Sequence, residues 1–219
     1  MLFAIDIDDT IAGGCNAYKA YIEHHNQDLG LNISPHILEA LPDYRSFLKL
    51  PEVVTYRCEN EERFQASRAS CRVSPQVILA LEEIPDAVAG VTFLSKLGTI
   101  RYYTIRANHE ATRQWLSIKQ FPYPHSTVFC ESTMHKLITM YHQETHESII
   151  LIDDRFTSLI QAFQKIAGKN PHIADNLQKR LILVAFGIDS VSEHTSNLKV
   201  LALPSWDQVA SLARSELVH

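Results

Sequence analysis

The sequence lacks the features that indicate a membrane, secreted or nucleic-acid-binding protein. No apolar run approaches the roughly 20 residues that a membrane-spanning helix needs. The first residues contain neither the basic segment nor the cleavage site of a signal peptide. A net charge of −5 provides no general basic surface for nucleic acid. We therefore expect a cytoplasmic protein with no membrane partner, for which a nucleotide is a conceivable ligand but a nucleic acid is not expected. The sequence does not indicate an oligomeric state.

Cysteine pairs, repeats and low-complexity segments are also missing. The four cysteines show no CxxC spacing, which argues against a zinc site and favours reduced thiols. Hydrophobic residues make up 46% of the chain and charged residues 21%, which is typical of a globular protein. A chain of 219 residues is long enough for one large domain or for a core that carries a smaller insert.

The pattern along the chain divides it into two parts. Helical periodicity fills residues 16–85 and requires no strand there. From residue 86 onward, short apolar runs alternate with single helices, which predicts a parallel sheet with right-handed crossovers. We therefore predict an α/β fold with a Rossmann-like parallel sheet core formed by residues 1–15 and 86–219. Residues 16–85 are predicted to form an inserted, all-helical cap domain. The adjacent histidines His24 and His25 are of a type that binds metals, but no third ligand stands at a suitable spacing, so they are expected at its surface.

A short apolar strand, Leu2–Ile5, leads directly into three carboxylates within four residues. Asp6 and Asp8 are two positions apart, so they would share one face if the strand continued. Like charges at this distance raise each other's pKa unless a cation lies between them. The simpler interpretation is an acidic turn after an edge strand, and the rest of the chain must decide between the two.

Further polar residues follow the later predicted strands. Thr104 and Arg106 come at the end of the second strand, Lys136 opens the helix after the third, and Asp153 and Asp154 end the fourth. Because the carboxyl ends of parallel strands meet at one edge of a sheet, these side chains are expected in one crevice with the first acidic stretch.

This set of groups is typical of phosphoryl transfer. Clustered carboxylates suit Mg²⁺, which prefers oxygen ligands and also binds phosphate oxygens. One carboxylate can attack phosphorus, and a second, two residues on, can protonate the leaving alcohol and then activate water. Lys136 and the Thr104 hydroxyl would hold the phosphoryl oxygens as charge develops. Arg106 is expected to face the substrate or to support the site.

The order of these motifs resembles the haloacid dehalogenase (HAD) superfamily of phosphatases. The resemblance is based on DIDDT at Asp6, a hydrophobic strand ending in Thr104, Lys136 in a helix, and LIDDR with Asp153 and Asp154. It covers the whole predicted core, and the helical insert stands where this superfamily has its type 1 cap.

The resemblance implies a role for each acid. Asp6 corresponds to the nucleophile and Asp8 to the general acid and base. Mg²⁺ would be bound by the side chain of Asp6, the backbone carbonyl of Asp8 and the carboxylate of Asp154. Asp153 would bind through water or orient Lys136. Members that act as dehalogenases lack an acid at the position of Asp8, so we expect a phosphomonoester substrate instead.

One segment suggests a group within the superfamily. The sequence TIRANHEATRQWLSIKQFPYP looks like the 5'(3')-deoxyribonucleotidases and the phosphatase domain of polynucleotide kinase-phosphatase, which implies a nucleotide as the small phosphorylated substrate. Trp115 and Leu116 in this segment are also explained by core packing of an amphipathic helix. Two other functions stay open at this point: a phosphomutase of the same superfamily, and a non-catalytic protein that binds Mg²⁺ or a nucleotide on the same fold.

Overall fold

The computed structural model describes residues 1–13, 17–42, 44–191 and 197–217. Its internal contacts divide the chain into two units. The first consists of Met1–Ile11, Ile84–Ile105 and Leu116–His219, and the second of Ala12–Glu83 and Arg106–Trp115. Gly14, Cys15 and Asn16, where the first predicted domain boundary falls, lie outside the described residues. The predicted division at residues 15/16 and 85/86 therefore stays a prediction.

The first unit is built on one parallel sheet. Among the described residues, six strands form this sheet in the order β3-β2-β1-β4-β5-β6. They are β1 (Leu2–Ile5), β2 (Thr99–Thr104), β3 (Thr127–Phe129), β4 (Ile149–Asp153), β5 (Leu181–Phe186) and β6 (Lys199–Leu203). Every pairing is parallel, which confirms the predicted Rossmann-like core.

Strand β1 lies in the middle of the sheet, between β2 and β4. All four of its side chains are completely buried. A strand that is covered on both faces has no polar side to present to water, which accounts for its uninterrupted apolar sequence. The interpretation of Leu2–Ile5 as an edge strand is therefore wrong, and the acidic stretch that follows it starts from the centre of the sheet.

The second unit is helical. Its first segment, Ala12–Glu83, contains α1 (Ala17–Leu29), α2 (Pro35–Glu39), α3 (Tyr44–Phe47), α4 (Pro51–Glu59), α5 (Glu61–Val73) and α6 (Pro75–Ala80). Three of them begin at a proline, whose fixed φ and missing N–H suit the first turn of a helix. Within the described part of this unit the only β pairing is an isolated bridge between Ala12 and Glu83. The predicted helical character of the insert is confirmed.

The interior of this helical unit contains a histidine that the sequence places at the surface. His25 has no exposed area, and its ring stacks with those of Phe64, at 5.5 Å between centroids, and Phe47, at 6.1 Å. The helical period explains this burial, because His25 lies three residues after Ile22 and four before Leu29, on the face of α1 that packs inward. The surface prediction is wrong for His25.

The remaining helices lie before, between or after the later strands along the chain. They are α7 (Ala87–Leu94), α8 (His109–Ile118), α9 (Thr133–Gln143), α10 (Phe156–Lys169), α11 (Pro171–Arg180) and α12 (Val209–Leu212), with short 3-10 turns at Pro124–Ser126 and Trp206–Gln208. The sequence pattern predicts a helix from Phe156 to Ala167 that ends at Gly168, but α10 continues to Lys169, and α11, which the pattern does not predict, follows it. None of the described helices is long and apolar enough to cross a membrane.

Candidate active site

Two acids meet at the carboxyl ends of the central strands. Strand β1 pairs with β4 in a register that places Ile5 beside Ile152, and the Asp6 amide donates to the Ile152 carbonyl at 2.9 Å. Asp6 and Asp153 are thus the next residues of two adjacent strands. Both are buried, with 6% and 2% of their surface exposed. The strand register alone brings these carboxylates together.

A lysine joins the two acids. Lys136 lies in the first turn of α9, where the Ser132 hydroxyl caps the helix by accepting from the His135 amide at 3.1 Å. Its Nζ donates to Asp6 Oδ1 and to Asp153 Oδ2, both at 2.7 Å, and the side chain is almost fully buried. Two charge-assisted hydrogen bonds therefore hold the ammonium between the two carboxylates.

The buried group around Lys136 contains more acidic than basic side chains. Burial alone would lower the pKa of Lys136, but the charges of Asp6 and Asp153 outweigh burial and raise it, so the lysine stays an ammonium. Burial raises the pKa of Asp6. Lys136 opposes this rise, while Asp153 and Asp8 add to it. One ammonium among several carboxylates leaves the site with excess negative charge, which a bound cation would neutralise.

Asp154 provides the best evidence that the site suits a metal ion. Carboxylate oxygens of Asp6, Asp153 and Asp154 all lie within 4.8 Å of one another. The Oδ1 atom of Asp154 is buried and has no hydrogen-bond partner in the described chain. Burial, with the charges of Asp153 and Asp9, raises the pKa of Asp154 to about 7. Since buried polar atoms are nearly always paired, these residues fit a hard cation with oxygen ligands.

The loop that follows β1 contains two further acids and contacts the end of β4. Asp8 is half-buried and lies outside the group of three carboxylates found among the described residues, although its charge is close enough to raise the pKa of Asp6. Asp9 is exposed and has a left-handed φ of 55°. The Thr10 hydroxyl accepts from the Asp154 amide at 3.1 Å, which connects this loop to the end of β4.

The other two predicted site residues are Thr104 and Arg106. Thr104 is the last residue of β2, the neighbour of β1, and is completely buried, and its carbonyl accepts from the Cys130 amide at 2.8 Å. Arg106 belongs to the helical unit, where its guanidinium carbon lies 5.7 Å from the centre of the Trp115 ring. Trp115 is fully buried and donates to the Leu81 carbonyl at 2.8 Å, so the core-packing interpretation holds for this residue.

One residue of the first unit that contacts the acidic loop was not anticipated. The indole nitrogen of Trp206 donates to the Thr10 carbonyl at 2.6 Å. Trp206 follows β6, so its position just after the carboxyl end of a strand is the signal that could have identified it.

Comparison with solved structures identifies the fold. No protein-family model matches the chain, and no curated protein is significantly similar to it. A HAD-hydrolase from Bacillus subtilis, YfnB, bound to magnesium, superposes with a TM-score of 0.58 at 12% identity, covering 96% of this chain and 97% of that one. A haloacid dehalogenase-like hydrolase from Burkholderia xenovorans LB400 gives 0.57 at 14% identity, with 100% and 98% covered.

A third similar structure is described as a beta-phosphoglucomutase from Thermotoga maritima. Its TM-score is 0.51 at 16% identity, and the match covers 99% of both chains. At identities this low, the likeness shows the fold and carries no activity with it. The chain therefore has the HAD-like fold with a helical cap, as its motifs predict.

Proposed function

We propose that this protein is a Mg²⁺-dependent hydrolase of phosphomonoesters that acts through an aspartyl-phosphate on Asp6. The observation that supports this most directly is the Lys136 ammonium, 2.7 Å from both Asp6 and Asp153, in a buried group that includes Asp154. A nucleophilic carboxylate must approach an anionic phosphate, and this group has both a fixed cation and oxygen ligands for a second one.

The side chains present would hold the metal as follows. Asp6 and Asp154 would contribute carboxylate oxygens and Asp8 its backbone carbonyl, while Asp153 stays bonded to Lys136. When bound, Mg²⁺ would draw charge from the phosphoryl oxygens and offset their repulsion by the carboxylates. The HAD-like hydrolase YfnB, whose structure contains magnesium, has the same fold, which makes this the first cation to test.

The proposed reaction has two steps. In the first, an Asp6 oxygen forms a bond to phosphorus while the bond from phosphorus to the alcohol oxygen breaks, and Asp8 gives its proton to that oxygen. In the second, water attacks phosphorus, Asp8 takes the water's proton, and the Asp6–phosphorus bond breaks to release phosphate. Lys136 and the Thr104 hydroxyl stabilise the charge on the phosphoryl oxygens in both steps.

The test is phosphate release from an aryl phosphate with Mg²⁺ and with EDTA. Asp6→Asn is expected to lower kcat by about a thousandfold or more, because the amide cannot form the acyl phosphate. Asp175→Asn, on the exposed face of α11, is the matched control and should retain the wild-type rate. Wild-type activity in Asp6→Asn would refute the nucleophile assignment, and equal rates with EDTA would refute the requirement for a metal.

The substrate class we propose first is the nucleoside monophosphates. The resemblance of residues 104–124 to deoxyribonucleotidases supports this choice, and Arg106 is the residue that we assign to substrate contact. A panel of nucleotides and sugar phosphates, compared by kcat/KM, tests it. Arg106→Lys should raise KM for the preferred substrate, because a lysine cannot reproduce the planar fork of a guanidinium.

A phosphomutase is the second candidate, because a protein described as a beta-phosphoglucomutase matches this chain over its whole length. Such an enzyme returns the phosphoryl group to a sugar instead of to water. Incubation with hexose 1-phosphates separates the two reactions, since a mutase yields the isomeric sugar phosphate and a hydrolase yields inorganic phosphate.

A further inference from the structure

The interior of the first unit contains a tryptophan that is bonded to the acidic loop and that the proposed reaction does not use. Trp206 is 1% exposed and lies in the 3-10 turn after β6. Its indole nitrogen donates to the Thr10 carbonyl at 2.6 Å, across 196 residues of sequence. Tryptophan has one polar atom, a donor, and here that atom is directed at the backbone of the loop that carries Asp6 and Asp8.

Thr10 connects Trp206 to Asp154 through two hydrogen bonds. While its carbonyl accepts from Trp206, its hydroxyl accepts from the Asp154 amide at 3.1 Å. A single buried residue is therefore bonded on one side to the turn after β6 and on the other to the backbone of Asp154. Asp154 is also the acid whose Oδ1 is buried without a hydrogen-bond partner in the described chain.

We propose that Trp206 is a positioning residue for the metal-binding carboxylate of Asp154, acting through Thr10. The inference rests on the proposed function, because it takes Asp154 as a metal ligand. It adds that a metal held at the ends of β1 and β4 depends on a side chain that follows β6. Mutation of groups that orient metal ligands typically lowers metal affinity or activity by about 10- to 100-fold.

The backbone of the loop has an uncommon conformation next to Thr10. The Thr10 amide donates to the Ile7 carbonyl at a long 3.4 Å, and Asp9 between them has a left-handed φ of 55°. Non-glycine residues adopt that conformation uncommonly, although aspartate does so more readily than most, and the surroundings of the loop help to hold it. The two bonds to Thr10 are part of those surroundings, so the removal of either is expected to loosen the loop.

The indole itself is held in place by close packing. Its ring lies 5.6 Å from that of Phe186, centre to centre. On another side, a Cβ at Gly90 of α7 would lie only 2.6 Å from its Cε3 atom. Glycine is disfavoured inside helices, and the close approach of Trp206 explains its presence here. Replacement of Gly90 by alanine thus displaces the indole without altering its chemistry.

The experiment measures Mn²⁺ binding to the full chain by calorimetry, with Mn²⁺ as a probe of the metal site. Trp206→Phe removes the N–H and keeps most of the ring, and we expect about tenfold weaker binding. Trp115→Phe is the matched control, because it removes an indole bond of 2.8 Å in the helical unit and should leave Mn²⁺ affinity unchanged. Hydrogen exchange of the Asp154 amide, without metal, should be faster in Trp206→Phe alone.

Wild-type affinity and exchange in a folded Trp206→Phe protein would overturn the proposal. If that variant does not fold, Gly90→Ala and Thr10→Val supply the same test, since each disturbs one bond of the Thr10 bridge, and unchanged Mn²⁺ affinity in both would overturn it. Thr10→Ser, which keeps the hydroxyl and the carbonyl, should bind normally.

The proposed reaction and the role proposed for Trp206 can be refuted independently of each other. If the wild-type chain binds Mn²⁺ but releases no phosphate from any ester, the reaction is refuted while the role of Trp206 is judged from affinity alone. If Asp154→Asn binds Mn²⁺ as tightly as wild type, Asp154 is not a ligand and the positioning role is refuted.

Discussion

Acidification should destabilise the helical unit through His25. The ring is completely buried, with Nδ1 3.0 Å from the Ser67 hydroxyl and Nε2 2.9 Å from the Tyr44 hydroxyl. Burial, with the charges of His24 and Arg68, lowers the pKa of His25 from 6.5 to about 4. In the unfolded chain this histidine therefore binds a proton below about pH 6.5, whereas in the folded chain it binds one only below about pH 4.

The direction and size follow from this difference. Because the folded state holds fewer protons across this window, its stability is complete above the unfolded pKa and falls as the pH drops. The loss amounts to about 2 kcal/mol at about pH 5 and at most about 3 kcal/mol below the folded pKa. The assay is hydrogen exchange of α1 and α5 amides, which reports the free energy of opening of the helical unit, from neutral pH downward.

Two variants make this assignment testable. His25→Gln keeps a group that can hydrogen bond to both hydroxyls but cannot titrate, so its stability should vary less with pH than that of the wild type. His36→Gln, an exposed histidine in α2, should leave the wild-type slope unchanged. If His25→Gln and the wild type lose the same opening free energy between neutral pH and about pH 5, the buried histidine does not cause the acid sensitivity.

Two further predictions concern the first unit and are checked by urea unfolding. Lys136→Met leaves its two carboxylate partners buried without a cation and should cost about 3 kcal/mol or more, whereas Lys165→Met on the exposed face of α10 should change stability by less than about 0.5 kcal/mol. Gly90→Ala forces a Cβ to 2.6 Å from Trp206 and should cost roughly 1–3 kcal/mol, whereas Gly168→Ala meets no atom within 4 Å and should stabilise by roughly 0.5–1 kcal/mol.

Equal effects of the two lysine variants would mean that the ammonium does not hold the buried acids together. An alanine at position 90 that is tolerated as well as one at position 168 would mean that α7 can shift away from the indole.

The core of the fold was predictable because its signals are local. An apolar run, a turn and a helix each depend on a few neighbouring residues, so β1 covers Leu2–Ile5 and β2 ends at Thr104, as the sequence indicates. The grouping of Asp6 with Asp153 and Lys136 was also predictable, because parallel strands deliver their carboxyl ends to one edge. The chemical roles of these residues stay predictions until the variants are assayed.

Features that depend on tertiary packing were less accessible. Gly168 indicated the end of a helix, yet its backbone carries no positive φ and α10 continues to Lys169. The burial of His25 depends on Phe47 and Phe64, which come from two other helices. The indole of Trp206 finds its acceptor 196 residues away. To predict each of these features one must know where a distant segment packs, and the sequence pattern of a single segment does not contain that information.

The hydrogen bond between Trp206 and Thr10 also affects when the acidic loop reaches its final structure during synthesis. The chain leaves the ribosome from its amino end, so Thr10 emerges long before its partner. The strand that precedes Asp6 needs β2 and β4 on its two sides, and the loop after it receives its indole contact only once residue 206 has emerged. In nascent chains that end before that residue, the loop that carries the acids of the site would lack this hydrogen bond.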